Sequence, residues 1–142
     1  ASLSYNQGWQ LNKPFKGDFT YYDDKGTGAC GTPLNAANEM LVAISHLEWK
    51  TPNPNNDPIC KNICLKVDYK GKSVKLRIKD KCPGCDKTHA DLSKPAFQKL
   101  ADLSVGHVYG ATLTYKNTIS SLIQIDKQHL VVDKYKINLF IL

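Results

Sequence analysis

The chain has 142 residues, enough for one compact domain and not comfortably two. Its 42% apolar and 23% charged residues exclude wholesale disorder, and no apolar run approaches the ~20 residues of a membrane helix. The net charge of +6 draws polyanions, but the lysines are dispersed and Arg77 is the single arginine. That argues against nucleic-acid readers, which rely on bidentate arginine, and leaves acidic polysaccharide or a plain basic surface.

The chain starts at Ala1 without a methionine, which fits a processed mature protein or a start chosen by hand. Residues 1–16 are polar, carry Gly8 and Pro14, and show no periodicity, so they read as an arm. Asp18–Tyr22 reads as a strand, followed by a tight turn region where Gly26, Gly28 and Gly31 surround Cys30. Met40–Ile44 is an apolar run suited to a buried strand. Ser45 fits as a helix cap with Glu48 as its capping-box partner, and the prolines and asparagines of Thr51–Pro58 demand a loop.

Ile63–Tyr69 and Ser73–Lys79 flank Lys70-Gly71-Lys72 and alternate in hydrophobicity, which predicts a hairpin with one buried face. Ser93 and Pro95 open a helix whose stripe is Phe97, Leu100 and Ala101 and which ends near Ser104–Gly106. Val108–Tyr115 is the last predicted strand. Residues 117–142 are rich in Ile, Leu and Lys, and alternate at Tyr135, Ile137, Leu139 and Ile141. They read as an extension that is either an added strand or a poorly fitting tail, an aggregation liability if exposed. The inventory is mainly all-β, and a closed barrel removes the exposed edges of so many short strands.

Five cysteines leave one over if the others pair. Cys60-x3-Cys64 and Cys82-x2-Cys85 approach a zinc-ribbon spacing, and Cys82-Pro83-Gly84-Cys85 approaches a redox motif. The three-residue gap, the strands between the pairs, the leftover Cys30 and the missing βαβ context favour two disulfides in an oxidising compartment.

Gly17-Asp18-Phe19-Thr20-Tyr21-Tyr22-Asp23 followed by Gly28-Ala29-Cys30-Gly31 resembles the opening of expansin-like and rare-lipoprotein-A-like barrels. Leu41–Ser45, Ile78–Cys85, Asp91-Leu92-Ser93 with Ala96-Phe97, and Gly106 with the strand after it resemble the same family's later elements in the same order. The resemblance is nearest to the short fungal loosenins. It implies a six-stranded double-psi β-barrel over residues 17–116 with one or two short helices, an open groove, and an extracellular monomer without cofactor, metal, membrane or nucleic-acid partner. It also implies a Cys30–Cys60 bridge in preference to Cys30–Cys64, a Cys82–Cys85 bridge and a free Cys64.

On that resemblance Asp91 is the essential groove acid and Asp80 its companion, while Thr20 and Tyr22 share the strand face that meets them. The plainer readings are a turn cap for Asp80, helix-start hydrogen bonding for Asp91 and ordinary strand packing for Thr20 and Tyr22. Tyr21, Trp49, His89 and Tyr109 complete the candidate sugar contacts, with Trp49 and Tyr109 better placed by pattern in a core. The expansin aromatic after His89 is replaced by Ala90, and a groove tyrosine by Cys82. The leading expectation is non-hydrolytic loosening of cellulose, chitin, pectin or peptidoglycan. Weak cleavage of the endoglucanase or lytic transglycosylase type is the first alternative, with Asp91 as acid and Asp24 standing where a base stands in inverting endoglucanases. A secreted effector or inhibitor without wall activity is the second.

Overall fold

The computed structural model describes residues 8–118. Most of the C-terminal extension expected over 117–142, and the first seven residues, lie outside the described residues. Among the described residues, eight strands run in the order β1 (Phe15–Tyr22), β2 (Lys25–Thr27), β3 (Pro33–Asn35), β4 (Leu41–Ser45), β5 (Ile63–Tyr69), β6 (Lys72–Cys82), β7 (His89–Ser93) and β8 (Val108–Asn117). One α-helix, α1 (Lys94–Leu100), follows β7, and short 3₁₀ turns fill the loops.

Six strands close into a barrel in the order β1-β7-β4-β6-β5-β8, while β2 and β3 form a separate small ribbon. The β1–β7 and β4–β6 pairs are parallel, and the other barrel neighbours are antiparallel. Parallel neighbours require long crossovers, so each pair brings together segments distant in sequence. This is the double-psi arrangement, and it is what allows residues 71 positions apart to meet.

The predicted hairpin forms, with Lys70 and Gly71 both at positive φ (47° and 78°) as a two-residue turn of that twist requires. Ile63, Leu65, Val67, Leu76 and Ile78 fill the barrel interior, and all of β4 is buried. Helix α1 closes the core with Ala96, Phe97 and Leu100. Phe97 meets Phe19 edge-on at 5.3 Å and Tyr21 at 4.9 Å. It ends at Leu100, earlier than its sequence pattern suggests, because a separate 3₁₀ turn covers Leu103–Val105.

Local signals give way to tertiary ones elsewhere. Ser45 does cap the turn at His46–Glu48, but Glu48 turns inward to the Trp9 backbone and is buried instead of completing a capping box. Ser93 precedes α1 without capping it, and its hydroxyl accepts from the Leu41 N–H at 3.1 Å. The end of the supposed arm is docked: Trp9 and Phe15 lie against Tyr115, with ring centroids 6.1 and 5.9 Å away.

Cys30–Cys60 ties the β2–β3 turn to the 46–62 loop, Cys82–Cys85 staples the turn before β7, and Cys64 is free and buried. By loop-entropy arguments each bridge stabilises by ~2–4 kcal/mol, the longer loop more. Denatured, unreduced protein should therefore titrate with one thiol and folded protein with none; three or more thiols on denaturation would remove a bridge.

Gly28 is needed for space. A Cβ there would strike the Lys79 carbonyl and the Leu34 side chain, and the carbonyl belongs to a strand that cannot yield. Gly28→Ala should cost about 1–3 kcal/mol by overpacking, read from urea unfolding. A neutral result would show that the ribbon gives way.

Candidate functional site

Three strands and the end of a fourth present the candidate residues. Side chains alternate along a strand, so Asp18, Thr20 and Tyr22 of β1 share one face and Tyr21 points away. In the parallel β1–β7 register Asp18 lies opposite His89 and Thr20 opposite Asp91, which puts four polar groups side by side. Asp91 thus sits inside a strand. Ala90 and Leu92 turn into the core and hold it there. Asp80 also lies within a strand, because β6 runs on to Cys82 alongside β4.

The geometry falls into two linked pairs. Thr20 Oγ1 donates to Asp91 Oδ1 at 3.0 Å, and the Tyr22 hydroxyl donates to Asp80 Oδ2 at 3.3 Å. Asp80 Oδ1 in turn accepts from the N–H groups of Ala29 and Lys81, both at 3.0 Å. Ala43 of β4 is registered with Asp91 on one side and Asp80 on the other. Two strand spacings put the acids' backbones about 10 Å apart, with only a methyl group on the strand between them. Ala43 was invisible as a site residue in the sequence, where it reads as one more core position.

Burial pushes the Asp91 carboxyl up. The Thr20 hydrogen bond and His89 pull it back, Asp24 and Asp80 push with burial, and the net position is above its ordinary value. Burial, reinforced by Asp80, Asp91 and Asp24, also drives the Tyr22 phenol far above its ordinary range, so it stays a donor. Asp24 itself is exposed, and its charge is felt at both groups.

A second network continues from the first. Thr20 Oγ1 also meets His89 Nε2 at 2.8 Å, and His89 Nδ1 meets Asp18 Oδ2 at 2.7 Å. His107 Nε2 reaches the same Asp18 oxygen at 2.5 Å, and its ring stacks on Tyr109 at 4.2 Å between centroids. Sequence reading gave no site role to Asp18, although it stands in the opening motif, or to His107, 89 positions further on. Burial raises the Asp18 carboxyl, but the hydrogen bonds and charges of the two histidines outweigh it, leaving it below its ordinary value.

Three candidate contacts fare differently. Tyr109 is 70% exposed and stands at the open end of this line, contrary to its core-like pattern. Tyr21 is withdrawn from the face because its ring packs on Phe97. Trp49 packs against the core with Lys81 Nζ 5.2 Å over its ring, and bonds to neither acid. A cavity of about 270 Å³ lined by Trp9, Phe15, Glu48 and Tyr115 shares no residue with the acid face.

A closed six-stranded barrel with two parallel pairs, bearing a threonine–aspartate and a tyrosine–aspartate pair on one face, defines a double-psi β-barrel protein of the expansin-like class. The model of the double-psi family DPBB_1, described as "Lytic transglycolase", matches residues 15–111, and the chain belongs to that family. It is 51% identical over 102 residues to the papain inhibitor of Streptomyces mobaraensis, covering 72% of this chain and 71% of that protein. The solved Streptomyces papain inhibitor superposes with a TM-score of 0.76 at 48% identity, over 77% of this chain and 99% of that one. A mutant Clavibacter michiganensis expansin in complex with cellohexaose gives a TM-score of 0.59 at 26% identity, over 72% of this chain and 50% of that one. Expansin-like protein 1 of Dictyostelium discoideum is 32% identical over 104 residues, 66% of this chain but only 34% of its own length.

Proposed function

We propose that the face formed by Thr20, Tyr22, Asp80 and Asp91 binds a strand of cell-wall glycan and loosens the wall without cutting it, the protein acting outside the cell as a monomer. The observation that carries this reading is the pairing of each acid with a hydroxyl on the first strand. A half-buried carboxylate accepts strongly from sugar hydroxyls, and in its acid form it donates to a glycosidic or hydroxyl oxygen. The expansin solved with cellohexaose supports the ligand class, and two disulfides support an oxidising, extracellular setting. With Tyr21 and Trp49 packed elsewhere, the aromatic surface left for stacking is that of Tyr22 and the exposed Tyr109 at the end of the line. Grip therefore rests mainly on hydrogen bonds and lysines, and should weaken with salt.

A second reading is inhibition of papain-like cysteine proteases. The observation in its favour is the papain inhibitor's identity of about half, well above that of any expansin reported above. It would use a different surface. Leu47 is 55% exposed on a turn that Ser45 braces, accepting from the Leu47 N–H and donating to the Cys85 carbonyl. A rigid apolar tip beside a disulfide suits insertion into a protease cleft.

One experiment with two arms tests both. The protein is incubated with cellulose, chitin, pectin and peptidoglycan, and bound protein, released reducing ends and mechanical weakening are measured; papain activity is titrated in parallel. Binding and weakening without sugar release are expected. Release of sugar that disappears in Asp91→Asn would make the protein a glycosidase. Papain inhibition lost in Leu47→Asp, with no glycan bound, would establish the second reading in place of the first.

A further inference from the structure

The unexplained feature is Asp18, on which two imidazoles converge through one carboxylate oxygen. The Asp18 Oδ2, His89 Nδ1 and His107 Nε2 atoms all lie within 4.8 Å of one another. Two histidines and a carboxylate make a donor set for a borderline divalent ion such as zinc, whereas magnesium and calcium prefer all-oxygen shells.

The hydrogen-bond inventory points the same way. Thr20 has one hydroxyl proton, and it goes to Asp91. With Asp91 ionised, His89 Nε2, 2.8 Å from that hydroxyl oxygen, is the N–H donor. In a neutral ring that leaves a bare lone pair on Nδ1, aimed at a carboxylate oxygen 2.7 Å away. A second ring proton satisfies that contact as an ion pair, and a metal ion bound at the same two acceptors can take the proton's place.

The outer shell is in place as well. Ligating histidines typically have their second nitrogen held by another group, which fixes the ring. Here Thr20 holds His89, and the Tyr109 hydroxyl lies 3.4 Å from His107 Nδ1 while its ring stacks on the imidazole. All three ligand residues are partly exposed, so an ion has an entry path and a fourth position for water or a ligand oxygen.

We propose that Asp18, His89 and His107 form a binding site for a zinc-class divalent cation at the edge of the acid face. The proposal stands independently of the glycan and inhibitor readings, since neither uses these three ligand atoms.

The test is equilibrium dialysis of the intact, disulfide-bonded protein against zinc alone, with bound metal measured by elemental analysis and magnesium as control. One zinc per chain and no magnesium are expected. Zinc affinity should fall by roughly tenfold or more in Asp18→Asn and in His107→Phe, which keeps the stack on Tyr109. It should hold in Asp91→Asn and in His46→Ala. Because a ligand variant may misfold, the wild type supplies a second readout: the ring resonances of His89 and His107 should move together as zinc is added. No stoichiometric zinc, zinc retained in both ligand variants, or shifts confined to other histidines would each overturn the proposal.

Discussion

Asp91→Asn is expected to fold as well as the parent and to lose wall-weakening outright. The substitution keeps the side chain's size, and the amide oxygen still accepts from Thr20. What it removes is the ionisable group, and asparagine offers neither an anion to sugar hydroxyls nor an acidic proton to a glycan oxygen. The stability side has a definite sign. Burial raises the Asp91 carboxyl above its ordinary value, so its contribution is fully present at low pH and is lost as pH rises through the elevated folded value. At neutral pH the parent carries the cost of a partly buried anion and the variant does not. The melting temperature of Asp91→Asn should therefore equal or exceed the parent's at pH 7, and its advantage should vanish in acid. Full weakening by a well-folded variant would mean that Asp91 has no part in the activity.

Asp57→Ala is the substitution expected to damage the fold most. Asp57 is 0% exposed and accepts four hydrogen bonds: from the N–H groups of Lys50 at 2.6 Å, Thr51 at 2.9 Å and Ile59 at 3.0 Å, and from the Thr51 hydroxyl at 3.3 Å. It thereby organises the 46–62 loop, which carries Cys60 of the longer disulfide. Removing the carboxylate leaves several buried donors unmatched. With charge-assisted bonds worth about 1.5–3 kcal/mol each, the loss should reach about 3 kcal/mol or more. Burial alone would raise this carboxyl, but the hydrogen bonds outweigh it and hold it below its ordinary value of 3.8. Its stabilisation is thus present above that value and is lost as pH falls through the depressed one. Urea unfolding at neutral and acidic pH checks both parts: Asp57→Ala should be much weaker at pH 7, and the gap should narrow in acid. A loss under about 1 kcal/mol would show that water replaces the carboxylate.

Much of the barrel was legible because its signals are local. The alternation of Ile63–Tyr69 and its partner strand, the glycine in the turn between them, and the stripe around Phe97 each state an element within a few residues. The disulfide pattern followed from the family resemblance, because spacing alone left zinc and redox readings open. What stayed hidden depends on long-range pairing. The strand His89–Ser93 is five residues long, follows a Pro-Gly turn and shows polar residues outward, so its sequence looks like a loop. Only its parallel partner β1 and antiparallel partner β4 make it a strand. Asp18 and His107 meet for the same reason, and the opening motif that contains Asp18 says nothing of a histidine 89 positions away. Glu48 shows the converse: a local capping pattern is present, yet the core claims the residue.

The most direct test follows backbone amide resonances of the intact protein during titration with soluble cello-, chito- and galacturonan oligomers. Binding at the acid face should shift residues 18–22, 80–82 and 89–91 with one of these, while Trp9, Tyr115 and Leu47 stay fixed. Shifts that gather around the Trp9 cavity or the Leu47 tip, or none with any oligomer, would contradict a glycan-binding face.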